Sequence, residues 1–214
     1  MDLAKLIDDV IASQPEDEPR KYIGASAIGH ECSRSIWYSY KRYKGAPFPA
    51  KTRKTFAIGN TLESLILKWI TKGGIEIRYP YHEPSAEMQY FTGNVDALLS
   101  IDDELIVLEI KTANKSNFAN FKMNGLQKWN EQYYAQIQAY MGMLKLNKGI
   151  LLAINKDTSD LHSETVIFDP MYYANLCYKA KSIHEAQEPP MRINDNPCYF
   201  VCQMCKFKTL CHGL

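Results

Sequence analysis

The chain has 214 residues, 46% of them hydrophobic, and a formal net charge of +1 at neutral pH. That length suffices for one well-buried domain. The near-neutral balance excludes a protein that attracts nucleic acid through a global positive field, and no apolar run approaches the roughly 20 residues a membrane helix needs.

The Met1-Asp-Leu-Ala-Lys5 start lacks a signal peptide's apolar core, so a cytoplasmic protein free of membrane is expected. Residues 3 to 13 predict a short amphipathic helix, ended by Gln14-Pro15 and an acidic linker. Charge is then distributed unevenly. Asp2, Asp8, Asp9, Glu16, Asp17 and Glu18 face only Lys5, whereas Arg20, Lys21, Arg34, Lys41, Arg42, Lys44, Lys51, Arg53 and Lys54 face only Glu31. The second stretch reads either as a phosphate-facing strip or as a solvated helix face. A helix from about Ala27 to Arg42, capped by Ser26, is stopped by the loop of Gly45, Pro47 and Pro49.

The next helix, about Thr52 to Lys72, carries Leu62, Leu65, Ile66, Trp69 and Ile70 at helical spacing, with Gly59-x-x-x-Glu63 at its centre. Gly73-Gly74 ends it. Ile75 to Pro80 alternates like an edge strand, and Met88 to Thr92 extends the strand that bears Asp96.

Residues 93 to 112 hold two runs rich in Val, Ile and Leu around Asp102-Asp103-Glu104, the pattern of a β-hairpin. A loop centred on Asp102 and Asp103 pairs residues whose numbers share one sum, so Asp96 falls opposite Glu109. Alternation places Glu109 and Lys111 on the face of Asp96. Facing carboxylates repel, and Leu98, Leu105, Val107, Leu108 and Ile110 make both faces apolar, as in a central strand. Buried acids need partners or metal, and clustered carboxylates suit Mg²⁺ or Mn²⁺. The plainer alternative is a surface hairpin with solvated acids and a rim salt bridge.

Beyond Lys111, Thr112 to Asn117 reads as a polar loop suited to backbone phosphates or to a helix cap. A helix from about Trp129 to Leu146 puts Gln132, Gln136 and Tyr140 on one face. Ile150–Ile154 and Thr165–Phe168 read as strands, and Asp169-Pro170 opens a helix to about Gln187. Pro189-Pro190 begins an arm that contains Cys202-x2-Cys205-x5-Cys211. Clustered thiols in an intracellular chain point to metal before disulfides. Cys32 and Cys198 compete as the fourth thiolate, and either zinc or an iron-sulfur cluster accepts four. Cys177, amid Tyr172, Tyr173, Leu176 and Tyr178, reads as an inert buried thiol.

Asp96 followed by Glu109-x-Lys111 resembles the core motif of the PD-(D/E)XK nucleases, and Gly93-Asn-Val-Asp96-Ala resembles its RecB-type form. Gln136-x-x-x-Tyr140 is similar to the Gln-x-x-x-Tyr motif of the same group. Ser26-x-Ile28, Cys32-x-Arg34-x-x-Trp37-Tyr38 and the terminal cysteines resemble the iron-staple nucleases, which include CRISPR-associated RecB-like exonucleases, the AddB nuclease domain and phage relatives. The resemblance covers roughly residues 22 to 212.

It implies an α/β, restriction-endonuclease-like fold with a mixed central sheet flanked by helices. The single domain 1–214 would comprise an amino-terminal helical arm (1–50), a catalytic core (52–187) and a Cys-rich carboxyl-terminal staple (188–214). A 4Fe-4S cluster on Cys32, Cys202, Cys205 and Cys211 is implied, with zinc as the alternative. Glu63, Asp96, Glu109 and the Ile110 carbonyl would hold one or two Mg²⁺ or Mn²⁺ ions. Glu63 departs from the RecB-type His and matches the Glu of lambda-type exonucleases. Lys111, Gln136 and Tyr140 would complete the catalytic set, with Arg34, Lys51, Arg53 and Lys54 on the DNA backbone. The implied function is a DNA exonuclease of single strands or duplex ends, in phage recombination or CRISPR adaptation. Self-association and a protein partner in either pathway stay open. The alternative is a non-catalytic DNA-binding protein or a zinc-stapled scaffold with the same fold.

Overall fold

The computed structural model describes residues 1–15, 18, 20–78 and 90–214. The chain opens with α1 (Leu3–Ser13), then β1 (Ile23–Gly24), α2 (Ala25–Ile28), α3 (Ser33–Tyr40) and the long α4 (Ala50–Lys72). After β2 (Glu76–Arg78) and β3 (Phe91–Thr92) come the hairpin strands β4 (Ala97–Ile101) and β5 (Glu104–Ala113). Helices α5 (Lys115–Trp129) and α6 (Glu131–Leu144) lead to β6 (Lys148–Asn155), β7 (Leu161–Ile167) and α7 (Pro170–Glu185). Two short helices, α8 (Phe200–Gln203) and α9 (Lys208–His212), finish the arm.

Five strands form one mixed sheet in the order β2-β4-β5-β6-β7, with β5 and β6 parallel and the other neighbours antiparallel. Apolar alternation fills both faces. Leu98, Val107, Leu151 and Ala153 pack with Ile137, Met141 and Phe121. Leu99, Ile106, Leu108 and Ile110 pack with Ile66, flanked by Leu62 and Ile70. Helix α4 thus covers one face, and α5 and α6 the other. This mixed sheet flanked by helices is the expected restriction-endonuclease-like fold.

The hairpin register agrees with the expected pairing: Ala97 faces Leu108, and Ile101 faces Glu104. The two residues between, Asp102 (φ 49°) and Asp103 (φ 62°), are both left-handed, the type I′ geometry that matches strand twist. Asp169 accepts from the Met171 and Tyr172 N–H groups ahead of Pro170, which starts α7 as expected.

Several expectations change. The helix expected from Ala27 to Arg42 is broken in two. His30 Nδ1 accepts the Cys32 N–H at 3.0 Å in the break. Gly29 lies so near α6 that an added Cβ would sit 2.5 Å from the Ala135 Cβ. Ser26 therefore lies inside α2, and Cys32 takes the N-cap position of α3 without a side-chain cap. The polar stretch after Lys111 serves as a helix cap, one of its two expected uses, and not as a loop: β5 runs to Ala113, and Asn114 caps α5 by accepting the Asn117 N–H at 2.8 Å. Helix α5 has no counterpart in the expectations. Its left-handed Gly125 (φ 76°) interrupts the helical geometry, and Glu164 accepts the Leu126 N–H there at 2.8 Å. Phe91–Thr92 pairs in parallel with β1 rather than extending β4. Met88, Gln89, Tyr79 and Pro80 lie outside the described residues, as do Glu16 and Asp17 of the expected acidic linker. Among the described residues no helix is long and apolar enough to cross a membrane.

Asp103→Gly, which gives the turn its preferred second residue, should raise stability by about 0.5–1 kcal/mol in urea denaturation. A loss of stability would mean that the turn is not type I′ in solution.

Candidate active site

Asp96 stands one residue before β4, where the hairpin register continues it toward Glu109. Its Oδ2 accepts the Ile110 N–H at 2.7 Å. Glu109, in the middle of the sheet, is 1% exposed. Its Oε1 accepts from Lys111 Nζ at 2.5 Å, and its Oε2 is buried with no hydrogen-bond partner among the described residues. Lys111 Nζ also lies 4.8 Å from the centroid of the Tyr133 ring on α6. The side chains expected to share a face do so, because Glu109 and Lys111 are two apart on one strand.

The electrostatics follow from burial. Desolvation pushes the Glu109 carboxyl up to about 7, against the pull of Lys111 and with the added repulsion of Asp96 and Glu63. Burial raises Asp96 as well, opposed by the Ile110 N–H and Lys111. Glu63 of α4 is raised by burial and then by the Asp96 charge, and lowered by Lys111. The third expected carboxylate therefore lies in the same field. Burial alone would lower Lys111, but Glu109 and then Asp96 outweigh it and hold the ammonium firmly charged.

Helix α6 supplies the opposite wall. Gln136 donates to the Tyr140 hydroxyl at 3.1 Å, and both are buried. Burial and then the negative charge of Glu109 push the phenol up, so Tyr140 stays protonated. A Cβ on Gly93 would sit 3.1 Å from the Tyr140 ring and 3.0 Å from Ala25, so a larger residue there would press on both side chains. One turn earlier on α6, Gln132 donates to the Ser26 carbonyl at 2.7 Å, tying α2 to the site wall.

A second cluster lies on the arm. Cys32, Cys202, Cys205 and Cys211 line one cavity of about 20 Å³, together with Arg34, Ser35, Tyr38 and His212. Burial and then the neighbouring Cys32, Cys211 and Cys205 push the Cys202 thiol up. Phe207 N–H donates to Cys205 Sγ at 3.4 Å, and Arg192 donates twice to the Cys211 carbonyl. Cys198 is exposed and is absent from the cavity wall. His212 was not singled out from the sequence. Its Nε2 is buried without a hydrogen-bond partner among the described residues, and the Cys211-His212 pair was the available signal. Cys177 is half-buried on α7 and away from this wall.

Three of the four basic residues expected on a DNA backbone are engaged elsewhere in the fold. Arg34 donates to the Pro190 carbonyl at 2.9 Å and to the Tyr38 hydroxyl, joining α3 to the arm. Lys54 pairs with Asp8 at 2.5 Å, and Arg53 donates to the Gln14 carbonyl at 2.9 Å. Those two hold α1 against α4. Lys51 is exposed on the first turn of α4.

Among the described residues, no three His, Cys, Asp or Glu side chains form a group arranged to hold a metal ion as they stand. The donor chemistry still fits metal. A desolvated carboxylate with one oxygen unmatched is the state that a divalent cation would relieve, and four thiols around one cavity form a soft donor set.

Comparison with known proteins agrees with this architecture. No curated protein sequence matches the chain at a significant level. Among solved structures, SSO0001 is 20% identical with a TM-score of 0.54, over 98% of this chain and 93% of that one. The alkaline exonuclease LHK-Exo of Laribacter hongkongensis is 15% identical with a TM-score of 0.55, over 78% of this chain and 87% of that one. Its complex with dAMP is 13% identical with a TM-score of 0.57, over 84% and 90% of the respective chains. These likenesses establish a shared fold. The sequence itself matches the YqaJ-like viral recombinase domain over residues 19–145, more than half of the chain, and the protein belongs to that family.

Proposed function

We propose that this protein is a divalent-metal-dependent exonuclease that hydrolyses DNA phosphodiester bonds at single strands or duplex ends. The observation that carries the reading is Glu109, fully desolvated in the sheet with one oxygen on Lys111 and the other unmatched. The alkaline exonuclease fold and the viral recombinase family support it, and they favour phage recombination over CRISPR adaptation as its setting.

Asp96, Glu109 and the Ile110 carbonyl would hold Mg²⁺ or Mn²⁺, with Glu63 beside them. The ion would supply Lewis acidity at the phosphate and make water a better nucleophile. Lys111 stays protonated and would set the attacking water and offset charge on the phosphoryl oxygens. Gln136 and the protonated Tyr140 would act as hydrogen-bonding walls that orient the strand.

The cysteine site, in this proposal, holds a 4Fe-4S cluster that fixes the arm onto α3. Zinc is the second reading. The cavity, about 20 Å³, is nearer the size of a single ion than of a cluster, and His212 Nε2 offers a further nitrogen donor.

Lys111→Ala should lower cleavage of end-labelled DNA in Mn²⁺ at least about a hundredfold. It should leave DNA affinity within about twofold. Because it strands Glu109 without its cation, it should also cost about 3–5 kcal/mol of stability at pH 8. Cleavage at the wild-type rate would remove the mechanism.

The raised Glu109 pKa gives a pH signature. The native carboxyl keeps its proton up to about 7, whereas an unfolded one loses it near 4.5. Glu109's contribution to stability in chelator should therefore be full below about pH 4.5, decline as pH rises from there to about 7, and level off above it. Mn²⁺ at pH 8 should restore it, and Glu109→Gln should flatten the slope in chelator. Rising stability across that window in urea titrations would contradict the burial argument.

Cys205→Ser should remove iron and the visible absorbance of protein purified without oxygen, and lower its melting temperature. A colourless native protein containing one equivalent of zinc would replace the cluster with the second reading.

A further inference from the structure

We infer that Lys41, Arg42, Tyr43 and Lys44 form a docking site for single-stranded DNA, separate from the carboxylate centre. These residues follow α3 and, with Trp37 and Gln187, line an open hollow of about 580 Å³. Three cations within four residues are exposed there, and none forms an ion pair among the described residues. That contrasts with Lys54, which is neutralised by Asp8. A solvated basic loop would explain the charges but not the aromatic set between them. Tyr43 stacks on Trp37 with centroids 5.5 Å apart and planes at 29°, and meets Tyr38 edge-on at 5.2 Å. Even so, 45% of Tyr43 stays exposed.

The loop is held before any ligand arrives. Tyr43 N–H donates to the Tyr38 carbonyl at 2.9 Å, and Arg42 N–H to the Ser39 carbonyl at 3.1 Å. Ala46 N–H donates to the Lys206 carbonyl at 2.8 Å. Trp37, the floor of the stack, is fixed by its indole N–H on the Ala186 carbonyl at 3.0 Å. Lys41 Nζ lies over the Trp37 and Tyr40 rings at 5.9 and 5.4 Å, and a rigid exposed ring flanked by cations without carboxylate partners is the combination that takes an unstacked base with its adjoining phosphates. A duplex hides its base faces and would use only the charges. The inference rests on the nuclease reading for its purpose, to hold the strand outside the cutting centre. Binding there needs no hydrolysis.

The test is fluorescence anisotropy of a labelled oligothymidylate with the full-length protein in EDTA, across a salt series. Tyr43→Ala should weaken binding roughly tenfold or more, while Tyr43→Phe binds like wild type. Arg42→Asn, which suits the left-handed backbone at that position (φ 59°), should reduce the slope of log affinity against log salt by about 0.7. Lys44→Gln should do the same. If Tyr43→Ala does not fold, the exposed-charge variant Lys41→Gln/Arg42→Asn/Lys44→Gln carries the test. Wild-type affinity and salt slope in that variant would overturn the proposal, as would equal losses of heparin and of DNA in Tyr43→Ala. Cleavage of end-labelled DNA by the wild-type protein in Mn²⁺ is read separately from binding in EDTA, so failure of the nuclease reading and failure of this site are distinguishable.

Discussion

A carboxylate in the middle of a five-stranded sheet is the constraint around which this molecule is arranged. Glu109 has apolar strands on both sides and almost no contact with water, so its charge must be answered within the fold. Lys111 answers one oxygen from the same face of the same strand. The ammonium is in turn held by the Tyr133 ring and by the fields of Asp96 and Glu63. A removal at any point leaves another group desolvated and unmatched, and this is why charge, packing and chemistry cannot be separated here.

The surrounding elements can be understood as supports for that strand. The type I′ turn sets the register that brings Asp96 alongside. Helix α6, capped by Asn130 and closed by the left-handed Lys145, lays Tyr133, Gln136 and Tyr140 along the wall. Through Gln132 it also anchors α2, and through α2 the start of α3. The carboxyl-terminal arm reaches the same region from the other side: Arg34, Cys205 and Lys206 link it to α3 and to the loop that follows. The cysteine cavity and the basic-aromatic loop are therefore mechanically connected, since the arm that carries the thiols also pins Ala46.

Legibility in the sequence differed by element. The hairpin register followed from symmetry about Asp102-Asp103, and the faces followed from strand alternation, so the grouping of Asp96, Glu109 and Lys111 was readable from local pattern. Asp169-Pro170 likewise announced its helix through local capping. Helix α5 was missed because its apolar positions, Phe118, Phe121 and Leu126, are sparse and Gly125 interrupts it. At that interruption Glu164, on a distant strand, accepts the Leu126 N–H, and the helix is held by burial of those few side chains in the core. The break in the helix after Ile28 was also hidden. It is imposed by close approach to Ala135 and Gln132, a contact more than a hundred residues away in sequence.

The sequence alone thus determined whatever depends on neighbours along the chain: strand alternation, turn symmetry, helix caps and the spacing of thiols. Tertiary structure decided which charges remain available. Lys54, Arg53 and Arg34 look like a phosphate-binding strip in one dimension, yet they are drawn to Asp8, Gln14 and Pro190 once α1 and the arm fold back. Lys41, Arg42 and Lys44, equally ordinary in the sequence, keep their charge facing solvent beside an exposed ring. The physical reason is that a charge's partner is set by distance in space, and hydrogen bonds made across many tens of residues leave no periodic mark on the chain.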